Sequence, residues 1–424
     1  MTDNFLFIGA IGSEKTIREL NAKGFNVSTA YNVQKKILAG LEENGKYCDT
    51  ITGHTVVPSL KKLEVIRFSD QNRNDKVTDI SVSFLNLPIV QRIIKVWKIS
   101  RLAKQWSSGR KNAVVITYSL SSIFLLSAWS VKKNNANCII VSIVPDLPEY
   151  MRNTQNKIYW FLKKCDRHII NFCIKRIDGF VLFTEYMKDK LPIGHKPYCV
   201  MEGILDVNVT QYMETVKNRA CLHRKIIMLS GNLDIEDGVV TLLQAFQEIS
   251  DHECELWITG SGNAQKIIEE YQLKDSRIKY YGYIASYSEF LKLQQQAMIF
   301  ALMVPPNHPK SPYYFPSKIM EYLATGGIVT CFKLPCIPCE YDPYLVYLPD
   351  DPNNVKGIAQ TLTKLCNTSN DDLTSQAIKR LSFITEMKGK STQSKKILDL
   401  IEIIKDTSTC LNSKSKISKE NTTS

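Results

Sequence analysis

No stretch of this sequence approaches the ~20 consecutive apolar residues that a membrane-spanning helix needs. The longest candidate, Ile123–Trp129, is roughly a third of that length. A secretion signal is missing too. Met1–Ile11 has no basic start, carries Asp3, and its apolar run Phe5-Leu6-Phe7-Ile8 stops at Gly9, so it reads as a first buried strand. Both absences predict a cytoplasmic protein. Zinc-type cysteine spacing is absent as well: Cys336-Ile-Pro-Cys339 has no second pair and no histidines at matching distance. The 12 cysteines are scattered, many in apolar runs such as Cys138-Ile139-Ile140. That suits a reducing compartment, where they act as small hydrophobes. Neither a metal nor another cofactor is expected.

Acid is scarce in two places. From Gln91 to Lys111 stand Arg92, Lys95, Lys98, Arg101, Lys104, Arg110 and Lys111 with no acid, interleaved with Ile93, Ile94, Val96, Trp97, Ile99, Leu102 and Trp106. From Arg152 to Arg176 seven cations face one acid, Asp166, beside Ile158, Tyr159, Trp160, Phe161 and Leu162. These stretches account for much of the net charge of +12, which favours an anionic partner. Basic charge mixed with Trp and Phe is also the composition of a helix lying in a membrane interface. Core helices with solvated basic faces would read the same way.

What is present is an alternation of strands and helices, run through twice. A length of 424 residues with 44% hydrophobic content suits two domains. In the first half, apolar runs at Phe5–Ile11, Ala113–Tyr118, Cys138–Val144 and Gly179–Phe183 read as buried parallel strands. The pattern restarts at Lys225, with strands expected at Ile226–Leu229, Cys254–Thr259, Ile278–Tyr281, Ile299–Met303, Ile328–Phe332 and Leu345–Leu348. The fold class is therefore α/β, two doubly wound Rossmann-like domains. The boundaries expected are 1–200 and 225–388, a linker at 201–224, a further helix at 389–405 and a disordered tail at 406–424.

The most informative segment is Phe315-Pro-Ser-Lys-Ile-Met-Glu-Tyr-Leu-Ala-Thr-Gly-Gly327. Pro316 suits the first position of a helix and Gly326 its stop. On such a helix Ser317, Lys318 and Glu321 fall within an arc of about 100°, with Ile319, Met320 and Leu323 opposite. A hydroxyl, an ammonium and a carboxylate are thus presented together while the other side packs on a sheet. Ser317 and Lys318 suit a diphosphate at the helix start, and Glu321 suits ribose hydroxyls one turn deeper.

The segment resembles the donor-site signature of family 4 glycosyltransferases with the GT-B fold, particularly those of bacterial capsule and exopolysaccharide assembly. Other parts match in order: Leu229-Ser-Gly-Asn-Leu233 with Gly238 and Leu242-Leu243-x-Ala245-Phe246, then Leu256-Trp-Ile-Thr-Gly-Ser-Gly262, then Tyr281-Gly282-Tyr283. The resemblance covers residues 225–385 best. It implies two domains facing a central cleft, an acceptor-binding N-terminal domain and a donor domain that binds a nucleotide-diphosphate sugar, a UDP-sugar above others. It implies donor contacts at Gly231, Asn232, Gly260, Gly262, Gly282, Ser317, Lys318 and Glu321, with Lys318 and Glu321 the residues on which transfer depends. Three positions depart from the pattern. Tyr313 stands where many members carry a first glutamate, and Asn232 and Asp237 where they carry a diphosphate Arg and Lys. This loads the diphosphate onto Lys318 and the amides near Gly231.

For retaining members no enzyme nucleophile is implied, because the departing phosphate oxygen takes the acceptor proton. On the acceptor side, Gly12 closes a turn after the first strand, and Asp146 and Glu149 follow the strand Cys138–Val144, at the carboxyl edge where such sheets bind ligands. An ordinary strand–helix turn explains Gly12 equally well, an ordinary capped turn explains Asp146 or Glu149 taken alone better, and His168, with no visible partner, reads as structural. The function expected is hexosyl transfer (EC 2.4) to a lipid-linked saccharide in surface-polysaccharide biosynthesis, by a protein peripheral on the inner face of the membrane, with no nucleic-acid partner. A GT-B nucleotide-sugar epimerase, and a non-catalytic protein binding anionic membrane or nucleic acid, are the alternatives.

Overall fold

A computed structural model describes residues 3–12, 14–22, 30–54, 64–68, 76–87, 89–150, 157–206, 209–219 and 224–420. Arg152 of the second basic stretch, and the side chains of Lys157, Ile158 and Tyr159, lie outside the described residues. The chain divides into two compact units, one of residues 1–204 with 390–424 and one of residues 205–389.

The first unit contains β1 (Asn4–Gly9), α1 (Glu14–Ala22), α2 (Ala30–Glu43), β2 (Cys48–Thr52), β3 (Val65–Ile66), β4 (Asp79–Ser81), β5 (Phe84–Leu85), α3 (Val90–Ser107), β6 (Ala113–Tyr118), α4 (Ser122–Asn134), β7 (Ile139–Val144), α5 (Lys157–Ile174), β8 (Gly179–Leu182) and β9 (Tyr198–Val200). Its seven-stranded sheet has the order β4-β2-β1-β6-β7-β8-β9, all parallel. Strands buried on both faces read as continuous apolar runs, which is why β1, β6, β7 and β8 are plain in the sequence. β2 is not, because Cys-Asp-Thr-Ile-Thr is half polar. Its polar groups are satisfied by neighbours instead: Thr50 donates to Asp79 at 2.6 Å and Asp49 accepts from the Thr78 N–H at 2.8 Å.

The second unit contains α6 (Val209–Arg219), β10 (Lys225–Asn232), α7 (Val239–Gln247), β11 (Cys254–Ser261), α8 (Gln265–Lys274), β12 (Ile278–Tyr280), α9 (Tyr287–Gln296), β13 (Ile299–Leu302), α10 (Lys318–Ala324), β14 (Ile328–Cys331), β15 (Leu345–Tyr347), α11 (Val355–Cys366) and α12 (Asn370–Met387). The six strands, all parallel, run β12-β11-β10-β13-β14-β15. The stretch 201–224, read above as a linker, holds α6. Of the apolar residues of α6 only Tyr212 and Val216 are buried, too few for a visible helical period.

The last helix, α13 (Lys390–Glu420), belongs to the first unit. It packs beside α2 with Ile397, Leu400, Ile401 and Ile404 in the core formed by Phe5, Phe7, Val114 and Ile116. The approach is close at Gly40, where a Cβ would come within 2.1 Å of the Lys390 carbonyl oxygen. The other sheet face carries α3, α4 and α5 side by side. α13 also runs on through residues whose polar composition suggests a disordered tail. Neither Pro nor Gly occurs between Thr407 and Glu420, and propagating a helix already nucleated is cheap.

Candidate functional site

β10 and β11 lie side by side with Ser230, Gly231 and Asn232 opposite Thr259, Gly260 and Ser261. At their carboxyl ends both glycines leave the region open to L side chains, with φ of 122° at Gly231 and 133° at Gly260. A Cβ on Gly260 would lie 1.9 Å from the Gly231 carbonyl oxygen, and one on Gly231 would lie 2.8 Å from Lys318 Cε. The bare backbone is what lets the lysine stem pass. Gly262 is equally confined, its Cβ position 2.3 Å from the Leu233 carbonyl carbon. The Gly282 carbonyl accepts from the Gly260 N–H at 2.9 Å and from Thr259 Oγ1 at 2.7 Å.

Lys318 comes from α10, which starts two residues later than the sequence suggests. Pro316 precedes the helix, and its carbonyl accepts the Ile319 N–H at 2.9 Å while that of Ser317 accepts the Met320 N–H at 3.1 Å, a tightened first turn. Ile319, Met320, Tyr322 and Leu323 are buried, Ser317 is exposed, and Lys318 and Glu321 are half-buried. Lys318 Nζ donates to Ser230 Oγ at 3.0 Å, and that hydroxyl shares a 2.5 Å hydrogen bond with the Tyr322 hydroxyl. Tyr322 is stacked on Phe300 with centroids 4.2 Å apart, and burial raises its pKa. Burial lowers the pKa of Lys318, with the Glu321 carboxylate partly offsetting it. The ammonium also sits 5.0 Å from the Phe290 ring centroid. Ser230, Tyr322 and Phe290 were not singled out in the sequence. The serine adjoins the glycine motif, but its contact spans 88 residues.

The loop after β10 carries negative charge. Asn232 Nδ2 donates to Asp234 at 2.7 Å and to Asp237 at 2.6 Å. Asp234 in turn accepts the Asn263 N–H at 2.9 Å, and Asn263 Oδ1 accepts the Ile235 N–H at 2.8 Å, so the loops after β10 and β11 are tied together. The Asn263 N–H first, then Asn232, hold the Asp234 carboxyl below the usual carboxylate range, with Lys310 adding to the effect. Asn232 is therefore spent on two carboxylates, and Lys318 is the ammonium aimed at Ser230 and Gly231.

In the first unit, Gly12, Asp146 and Glu149 follow β1 and β7 at the carboxyl edge of the sheet. A Cβ on Gly12 would lie 2.6 Å from His54 Cε1, so the glycine allows a close approach. Glu149 pairs with Arg167 of α5 at 2.7 Å. Asp146 is half-buried, and its charge adds to the burial that raises the pKa of Tyr118. His168 meets the Lys164 carbonyl oxygen of its own helix at 2.8 Å. A buried pair emerges that the sequence hid. Lys95 Nζ donates to the His54 carbonyl at 2.6 Å and to Gln91 Oε1 at 3.0 Å. Burial, then the Arg92 charge, lower the Lys95 pKa to about 7, and burial, then Lys95, lower that of His54 to about 4. Among the described residues no three His, Cys, Asp or Glu side chains gather as a metal cluster, and no helix is long and apolar enough to cross a membrane.

Two parallel α/β sheets, one with a glycine-walled lysine at its carboxyl edge, define a protein of the GT-B fold. Solved structures of this fold align with 94–96% of the chain. The lipopolysaccharide outer core galactosyltransferase WaaB in its apo form matches with a TM-score of 0.59 and 14% identity, covering 94% of this chain and 99% of its own. The UDP-forming α,α-trehalose-phosphate synthase of Burkholderia vietnamiensis matches with a TM-score of 0.61 and 10% identity, over 96% and 100%. Sucrose-phosphate synthase of Thermosynechococcus elongatus matches with a TM-score of 0.59 and 12% identity, over 95% and 100%. The sequence matches no protein-family model and no curated protein.

Proposed function

We propose that this chain is a retaining glycosyltransferase that moves a hexosyl group from a nucleotide-diphosphate sugar, a UDP-sugar above others, to a lipid-linked saccharide at the inner face of the membrane, in the assembly of a surface polysaccharide. The observation that carries the reading is the Lys318 ammonium held against Ser230 where Gly231 and Gly260 expose bare backbone. The half-buried ammonium has only the Glu321 carboxylate offsetting its desolvation, and a diphosphate laid across Gly231 supplies a full negative partner. Ser317 and the amides near Gly231 complete that cradle, Gly262 and Gly282 shape its rim, and Glu321 takes the ribose hydroxyls. Among the structures of this fold, the trehalose-phosphate synthase is described as UDP-forming, which favours a UDP-sugar.

In the transfer, the bond from the anomeric carbon to the diphosphate breaks as the acceptor hydroxyl bonds on the same face. The departing phosphate oxygen takes the acceptor proton, so the chain supplies charge stabilisation rather than a nucleophile. Asp146 and Glu149, the latter paired with Arg167 at 2.7 Å, are the carboxylates assigned to the acceptor side. No metal or other cofactor is assigned.

The test is thermal stabilisation by UDP-, GDP- and ADP-sugars on the wild type and on Glu321→Ala. A ligand at 100 times its dissociation constant stabilises by about 2.7 kcal/mol. The expected result is a shift with a UDP-sugar that Glu321→Ala diminishes. No shift with any nucleotide sugar would sink the donor site, and an undiminished shift in the variant would remove Glu321 from it.

A further inference from the structure

The side of the first unit formed by α3, α4 and α5 holds two adjoining depressions that the donor site does not use. One is a groove of about 960 Å³ running along α4, with Ile93, Trp97, Ile123, Leu126 and Leu162 among its walls. From Ser122 to Lys133 it follows α4 for about 17 Å. Its apolar walls stand open: Ile93 is 63% exposed and Trp97 59%. The other is a pocket of about 470 Å³ at the ends of α4 and α5, where the chain enters β7 and β8. Trp129 and Lys133 line both, so the apolar groove leads onto the pocket.

The pocket is strongly cationic, with Lys132, Lys133, Lys175, Arg176 and Lys196 against one acid, Asp178. That acid is already occupied, since Lys132 forms an ion pair with it and the Ile140 N–H donates to it at 2.8 Å. Trp129 is the hinge between the two depressions. Lys133 Nζ lies 4.1 Å from its ring centroid, the Arg176 guanidinium 5.3 Å, and Phe172 meets it edge-on at 5.0 Å. In the groove the one lining acid, Asp166, is taken by Arg92 at 2.6 Å. Among the described residues lining this pair of depressions, uncompensated positive charge therefore collects at one end of an open hydrocarbon-like trough.

We infer that this side of the first unit is a binding site for a single anionic phospholipid, its acyl chain along the α3–α4–α5 groove and its phosphate in the Lys133–Lys175–Arg176 pocket. Charge complementarity selects the headgroup, and the exposed apolar walls require a chain to cover them. The pocket lies at the amino ends of β7 and β8, whereas Gly12, Asp146 and Glu149 follow the carboxyl ends of β1 and β7. The lipid is thus a partner distinct from the saccharide acceptor, and the inference stands whether or not the donor reading does.

The test uses the full chain and monomeric lysophosphatidic acid below its micelle concentration, titrated by calorimetry and followed by tryptophan fluorescence. Saturable binding of one lipid per chain is expected. Lys133→Glu/Lys175→Glu should weaken it roughly tenfold or more, and so should Ile93→Gln/Leu162→Gln. All four positions are exposed, and an unchanged thermal transition shows that each variant folds. Inorganic phosphate binding as tightly as the lipid would reduce the site to a free-phosphate pocket and overturn the proposal. So would binding to phosphatidylglycerol vesicles with none to the monomer, which would mean adsorption to a surface. Full affinity in either double variant also overturns it.

Discussion

Lys318 is the side chain on which the donor reading turns, and its surroundings say what its removal does. Replacing a half-buried, partly desolvated ammonium by an apolar chain of similar length costs little stability, because the desolvation penalty disappears with the charge. Lys318→Met should therefore melt close to the wild type while binding a UDP-sugar about a hundredfold more weakly, a loss of about 2.7 kcal/mol, read by calorimetry. Lys95 offers a second, independent test. Its pKa is lowered to about 7 from the ordinary lysine value near 10.4, so across that window the unfolded chain binds more protons than the folded one. Stability then rises with pH between those values and is lost as pH falls towards 7. Relative to Lys95→Met, the wild type should gain about 2–3 kcal/mol from pH 7 to pH 9 in urea denaturation; a difference that stays flat would show that Lys95 ionises normally.

Among the elements, the β10–β11 pair shows how much depends on missing side chains. Gly260→Ala drives a Cβ to 1.9 Å from the Gly231 carbonyl oxygen, so the two strand ends must part. It should cost ~3 kcal/mol or more and abolish stabilisation by nucleotide sugars. Gly282 has a φ of 66° but open space around its Cβ position. Gly282→Ala should therefore cost only about 1–2 kcal/mol of backbone strain and leave a measurable ligand-induced shift. Equal losses in the two variants, by chemical denaturation, would refute the steric account. These elements were also the most legible in the sequence. β10 and β11 are largely apolar runs that end at Gly231 and Gly260, Gly282 follows β12, and the order of those glycines carries the resemblance. β2 and α6 were missed because their stability comes from partners, Asp79 for one and the α12 side for the other, rather than from a period of their own.

At the scale of the whole molecule, the chain closes on itself through α13. Burying Ile397, Leu400, Ile401 and Ile404 is worth on the order of 8 kcal/mol, comparable with the entire stability of a domain. Deleting residues 390–424 should abolish the cooperative thermal transition of the first unit, seen by circular dichroism. Deleting residues 408–424 should leave it nearly unchanged.

The sequence by itself determined the α/β class, the restart near Lys225 and the helix that presents Lys318 and Glu321, because strand burial and helical periodicity are local properties. It also marked both basic aromatic stretches. Only the tertiary structure decided what those residues meet. Ser230 and Tyr322 reach Lys318, Asp234 and Asp237 consume Asn232, Arg167 occupies Glu149, and α3, α4 and α5 turn two basic stretches into one groove with a cationic end. These are contacts between residues far apart in the chain. Their partners are chosen by strand order and helix packing, which no local pattern encodes.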